Sequence, residues 1–131
     1  KSSVEIFTDW DIVTVRQLGR NEAKEIGFGT VDQARITTAI SELARNIYLY
    51  AKLGEIEIER LRDGTRKGIA IVAKDQGPGI QDIRQVMEDG YSTSGGLGAG
   101  LPGVKRLMDT IHVDSAVGKG TTIRAEKWLN T

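Results

Sequence analysis

Gly68-Ile69-Ala70-Ile71-Val72-Ala73-Lys74-Asp75-Gln76-Gly77-Pro78-Gly79 carries a nearly unbroken apolar run straight into a glycine-proline-glycine turn. Such a run suits a central strand covered on both faces, and the turn then falls at that strand's carboxyl end. Pro78 stiffens the turn while Gly77 and Gly79 spare the backbone any Cβ, so a flat ligand could lie against it. An ordinary turn capped by Asp75 has the same letters. The position after a buried strand is what gives the motif weight.

Upstream, Glu55-Ile56-Glu57-Ile58-Glu59 alternates strictly, as a strand does with one face buried and the other wet, and Asp63-Gly64 marks a hairpin turn. Ile36, Ile40, Leu43 and Ile47 recur at helical spacing from Thr30 through about Tyr50, with Thr30 and Gln33 in a capping arrangement. An earlier helix is predicted from roughly Asp9 to Ile26, opened by Thr8 with Asp11 and stopped by Gly27; Val4 to Phe7 reads as a short strand before it. Downstream, Asp82 to Asp89 has some helical character, Gly90 to Gly100 is a Gly/Ser/Thr loop, and Leu101 to Asp109 reads as a helix. Ile111 to Val117 and Thr121 to Trp128 form a hairpin around Gly118-Lys119-Gly120. Two long helices, then strands interrupted by one glycine-rich excursion, predict a two-layer α/β sandwich with a mostly antiparallel sheet, one domain over residues 1–131.

Bulk composition narrows the chemistry. The absence of Cys excludes a disulfide framework, a thiolate nucleophile and Cys-ligated metal, and fits an intracellular, cytoplasmic address. Glu5, Asp9, Asp11 and Arg16 break up the first residues, so neither a signal-peptide core nor a membrane span is expected. Eighteen basic and eighteen acidic side chains cancel and are mixed along the chain, leaving no basic stripe for nucleic acid. Eight of the sixteen glycines fall between Gly77 and Gly103, which concentrates backbone freedom in one segment.

Three groups of residues could carry chemistry. Glu42 and Asn46 lie four apart on the second helix and project from one face, with Ser41 and Arg45 beside them, a spacing that also fits a solvated helix face. Asp75 closes the central strand. Gly95-Gly96-Leu97-Gly98-Ala99-Gly100-Leu101 leads into a helix whose first free N–H groups point back at the loop, a phosphate site without a lysine. Gly98, Gly100 and Gly103 match a dinucleotide fingerprint by letter count, but no strand precedes them, and no Walker-type P-loop is present. His112, the single histidine, reads as a half-buried structural residue, and Trp10, Trp128, Tyr48 and Tyr50 as core or interface aromatics.

Taken in order, Glu42-x-x-x-Asn46, Asp75-x-Gly77-x-Gly79, Gly96-x-Gly98-x-Gly100 and Gly120-Thr121 resemble the GHKL superfamily of gyrase, heat-shock chaperone, histidine kinase and mismatch-repair ATPases over nearly the whole chain. Val31 to Asn46 and Ser92 to Leu101 are similar to the RsbT-type switch kinases of the bacterial stressosome. The resemblance implies a Bergerat fold, with helices on one face of the sheet and a glycine-rich lid over ATP. It makes Asn46 the ligand of a magnesium ion on the phosphates and Glu42 the general base. Asp75 would accept from the adenine amino group, Gly77 and Gly79 would admit the ring, and Thr121 would support Asp75 or a bridging water. Gly96, Leu97, Gly98, Ala99, Gly100 and Leu101 would cover the phosphates. The implied activity is transfer of phosphate from ATP to serine or threonine on STAS-domain partners, followed by activation of a downstream signalling enzyme. An anti-sigma-factor-like, ATP-gated binding module is the alternative. Related anti-sigma kinases can place an arginine in the lid, whereas Gly90 to Leu101 holds no basic residue. Magnesium, the helix start at Gly100, and Lys105 or Arg106 are the candidates to replace it.

Overall fold

Alternation sorts the strands before any helix is considered. In a computed structural model describing residues 1–51, 53–76, 100–116 and 120–129, Ile56 and Ile58 of β2 (Gly54–Asp63) are 0% and 2% exposed. Ile69, Ile71 and Ala73 of β3 (Arg66–Asp75) join them on the same side of the sheet. The remaining elements are β1 (Ser2–Ile6), α1 (Asp9–Ile26), α2 (Thr30–Asn46) with a π-helical turn (Ile47–Ala51), α3 (Gly100–Leu107), β4 (Thr110–Ala116) and β5 (Gly120–Trp128). The strands run in the order β1-β2-β3-β5-β4, every pair antiparallel. Val15 and Ala23 of α1, Ile36, Ile40 and Leu43 of α2, and Leu101 and Val104 of α3 share one core with the inner face of the sheet, which gives two layers. Each fully buried isoleucine in that core contributes roughly 1.5–3 kcal/mol.

Local chemistry sets the ends of the helices. Asp11 accepts the N–H groups of Phe7 and Thr8, each at 2.8 Å, which opens α1 as expected. Those bonds, the one from Thr8 first, draw its carboxyl below the ordinary range. Gly27 closes the helix at φ +121°. Gly19 lets α1 approach α2, since a Cβ there would lie 2.1 Å from Ile40 Cδ1. The α2 cap differs from the sequence expectation. Gly29 is the cap residue, and Gln33 turns back to donate to the Phe28 carbonyl at 2.8 Å, so Thr30 opens the helix proper. The expected continuation to Tyr50 exists, but as a π turn after Asn46.

Among the described residues, no helix or strand lies over the outer face of β3. Val72 is 6% exposed because long charged side chains lie across it: Glu57 meets Lys74 at 2.8 Å and Lys1 at 3.2 Å, and Arg124 meets Glu126 at 2.9 Å. Ala70 and Val72 on this face are buried, as Ile69 and Ile71 are on the other, so the strand is covered on both faces as expected, the outer cover being charged side chains. Lys74, foremost, and then Lys1 hold the Glu57 carboxyl below its ordinary range against the opposing effect of burial. Glu57 is only 9% exposed, so this strand face is not wet as its alternation suggested. His112 stands exposed on the same outer face, in register with Arg124, rather than half-buried. Trp10, Tyr48 and Tyr50 are 74%, 38% and 42% exposed and belong to no core. Trp128 stacks beneath the Arg66 guanidinium, 4.7 Å from its centroid. The expected helix over Asp82–Asp89, the loop up to Ala99 and the turn at residues 117–119 lie outside the described residues.

Candidate functional site

One row of residues crosses the sheet at its end: Ile6, Gly54, Asp75, Thr121 and Ser115 are successive register partners. Asp75 shares the parity of Ile71 and Ala73, and Thr121 that of Ile123, so both point toward the helix layer just beyond the core. Thr121 is 7% exposed. The Ser115 hydroxyl donates to the Gly120 carbonyl at 3.1 Å and lies 2.8 Å from Thr121 Oγ1. Either hydroxyl can be the donor in that pair, so Thr121 Oγ1 can give or accept a hydrogen bond at the Asp75 end of the row.

Two glycines hold this row closed. Gly120 has φ +88°, and a Cβ on it would lie 2.1 Å from the Asp75 carbonyl oxygen. On Gly54 a Cβ would lie 2.4 Å from the Lys74 carbonyl, 2.8 Å from Ile47 Cγ2 and 3.1 Å from Asp75 Cβ. Ile47 follows Asn46 directly, so the close approach at Gly54 draws the end of α2 against the end of β3. That contact brings the Asn46 end of the helix to the Asp75 end of the strand. Gly120 was read in the sequence as a turn glycine beside Thr121, and Gly54 and Ser115 were not singled out. The strands pair Ala116 with Gly120, so the hairpin is centred one residue earlier than Gly118-Lys119-Gly120, and that shift is what sets Ser115 opposite Thr121.

On α2, Leu43 and Ala44 turn into the core while Glu42 and Asn46 lie half-buried on the adjoining face. The Glu42 side chain is 12% exposed, and Arg45 Nη1 stands 3.9 Å from its Oε1. The switch to a π turn immediately after Asn46 widens the helix there, a feature that recurs at functional positions. Gly100 opens α3, and the Leu101 side chain is 6% exposed within the core. Leu107 lies beside Thr30, Val31, Ala34 and Thr38, which places the Lys105–Arg106 end of α3 along the first turns of α2, away from Glu42 and Asn46. Gly77, Gly79, Gly96, Leu97, Gly98 and Ala99 lie outside the described residues.

Residues 31–131 match the family model of histidine kinase-, DNA gyrase B- and HSP90-like ATPases. The serine/threonine-protein kinase RsbT of Bacillus subtilis (strain 168) is 71% identical over 129 residues, which cover 98% of this chain and 97% of that protein. The chain belongs to the RsbT-type kinases of this ATPase family. The anti-sigma F factor of Thermoanaerobacter sp. (strain X514) is a more distant relative of the RsbT-type chain, 32% identical over 75% of it and 71% of the factor. Among solved structures, the RsbU and RsbW domains of a Mycobacterium tuberculosis protein superpose with a TM-score of 0.62 at 20% identity, over 100% of this chain and 34% of that one. The mycobacterial sensor histidine kinase MprB gives 0.57 at 17% identity, over 97% and 96%. These two likenesses bear on the fold, and they agree with the helices-on-one-face sheet described above. Among the described residues no helix is long and apolar enough to cross a membrane.

The donor set suits a nucleotide with magnesium. Asn46 offers a hard, neutral amide oxygen, Asp75 a carboxylate acceptor, and Thr121 a hydroxyl that can give or accept. The two pinched glycines keep the chain backbone close along the Asp75 row.

Proposed function

We propose that this RsbT-type kinase transfers the γ-phosphoryl group of ATP to serine or threonine on STAS-domain partner proteins and, once released from them, binds and activates a downstream signalling enzyme. The observation that carries the reading is the convergence at Gly54: the helix bearing Glu42 and Asn46 ends against the strand bearing Asp75. Asp75 would accept a hydrogen bond from the adenine amino group, and Thr121 would support Asp75 or a bridging water. Asn46 would hold magnesium, which would supply charge neutralisation for the phosphates. Glu42 takes the proton of the acceptor hydroxyl as that oxygen bonds to phosphorus and the bond to ADP breaks.

The B. subtilis relative's name supports phosphotransfer to protein, and the anti-sigma relative's name supports exchange between protein partners. Labelled ATP with a STAS-domain partner tests the proposal. Wild-type protein should label the partner, and Glu42→Ala should lower single-turnover transfer about 10²- to 10⁴-fold while still binding ATP. Undiminished transfer by Glu42→Ala would remove the base. Binding of ATP with no labelling of any partner, together with capture of a transcription factor, would favour an ATP-gated binding module instead.

A further inference from the structure

Phosphoryl transfer develops charge on three equatorial oxygens, and a guanidinium placed there is a recurrent device. The lid segment Gly90 to Leu101 supplies no cation. Elsewhere, most described cations are committed away from the site. Lys74 bonds Glu57 at 2.8 Å on the outer sheet face, where Lys1 and Arg124 also lie. Arg60 is held by Glu22 at 2.6 Å and Glu25 at 2.5 Å. Arg35 pairs with Asp32 at 3.0 Å near the start of α2. Lys127 is 8% exposed and donates to the Leu107 carbonyl at 3.2 Å. Lys105 and Arg106 flank that same end of α3.

Arg45 differs in place and in freedom. It adjoins Asn46 in the chain, and its Nη1 stands 3.9 Å from the Glu42 carboxylate, too far for a hydrogen bond. Its side chain is 46% exposed. Exposed pairs of this kind are worth about 1 kcal/mol or less, so the guanidinium can change partner at small cost. The acceptor oxygen must come within roughly 2.6–3.2 Å of the base and about 3–3.5 Å of phosphorus. A guanidinium resting against Glu42 is therefore one side-chain rotation from the γ-phosphate oxygens, where its planar fork gives two charge-assisted bonds.

We infer that Arg45 is the γ-phosphate cation of this kinase, carried by helix α2 in place of a lid arginine. The inference rests on the kinase reading above for its catalytic consequence. It adds a second consequence: arrival of a γ-phosphate draws Arg45 off Glu42 and leaves the carboxylate to the incoming hydroxyl, whereas ADP leaves the pair in place.

Calorimetry of ATP and ADP binding to wild type, Arg45→Ala and Arg45→Lys tests this without relying on turnover. Arg45→Ala should weaken ATP binding about tenfold or more, the worth of a charge-assisted bond, and leave ADP within about twofold. Arg45→Lys should recover part of the ATP preference, because charge is kept while the fork is lost. Single-turnover transfer should fall at least about 100-fold in Arg45→Ala. Equal effects on ATP and ADP, or none on either, overturn the inference even if wild type labels its partner. Failure of wild type to label any partner sinks the kinase reading instead, while the ATP-to-ADP ratio still reports on Arg45.

Discussion

Asp75, Gly120, Thr121 and Ser115 sit on adjacent, hydrogen-bonded strands, each fixed by register and by a backbone approach too close for a Cβ at Gly120. Glu42, Arg45 and Asn46 share a helix face that ends in a π turn, and Arg45 meets Glu42 only through a 3.9 Å ion pair. The strand half is over-determined and the helix half is exchangeable. That division suits the two tasks proposed for them: a base has one shape to recognise, whereas a phosphoryl group must be held in a ground state, a transition state and a product state.

The contrast breaks most severely at Gly120. Gly120→Ala should cost about 3 kcal/mol or more of folding stability, combining a backbone conformation unfavourable to alanine with a clash against main chain that cannot swing aside. Denaturant unfolding measures it, and nucleotide affinity should fall in parallel. A shift of less than about 1 kcal/mol would show that the strand half has slack.

Base selectivity sharpens the comparison next. With Asp75 as the recognising carboxylate, GTP would present a carbonyl to it and strand both acceptors, lowering affinity about tenfold to a hundredfold relative to ATP. Equal affinities by calorimetry would show that Asp75 does not read the base. The smallest expected effect is at Ser115. Ser115→Ala removes the hydroxyl that Thr121 Oγ1 is bonded to and should weaken ATP and ADP alike by about 1 kcal/mol, roughly fivefold. An effect on ATP alone would mean that the strand half also senses the γ-phosphate.

Much of the fold was legible from periodicity. Isoleucines in Glu55–Glu59 and the run Gly68–Ala73 announced their strands, and Thr8, Asp11 and Gly27 marked α1 at both ends. The errors have physical causes. His112 has apolar neighbours in sequence, but alternation puts it on the opposite face from Ile111 and Val113, and that face carries charges rather than a second layer. Trp10 and Tyr50 read by type as core or interface aromatics, and helix phase turns them outward, which removes the core alternative. At the site, residue types identified Glu42, Asn46 and Asp75 as candidates, but not Gly54, whose close neighbours Lys74 and Asp75 are distant along the chain, nor Ser115, whose partners Gly120 and Thr121 depend on the hairpin register.

By itself, then, the amino-acid order determined which of the described segments form helices and strands, and which side chains carry a carboxylate or an amide available for the proposed chemistry, because those properties are local. Only the tertiary structure decided that Ile47 would close on Gly54, that Gly120 would lie against the Asp75 carbonyl, and that Arg45 rather than Lys105 or Arg106 would stand beside Glu42. Those are facts of register and of the approach between layers, and no spacing along one strand or helix contains them.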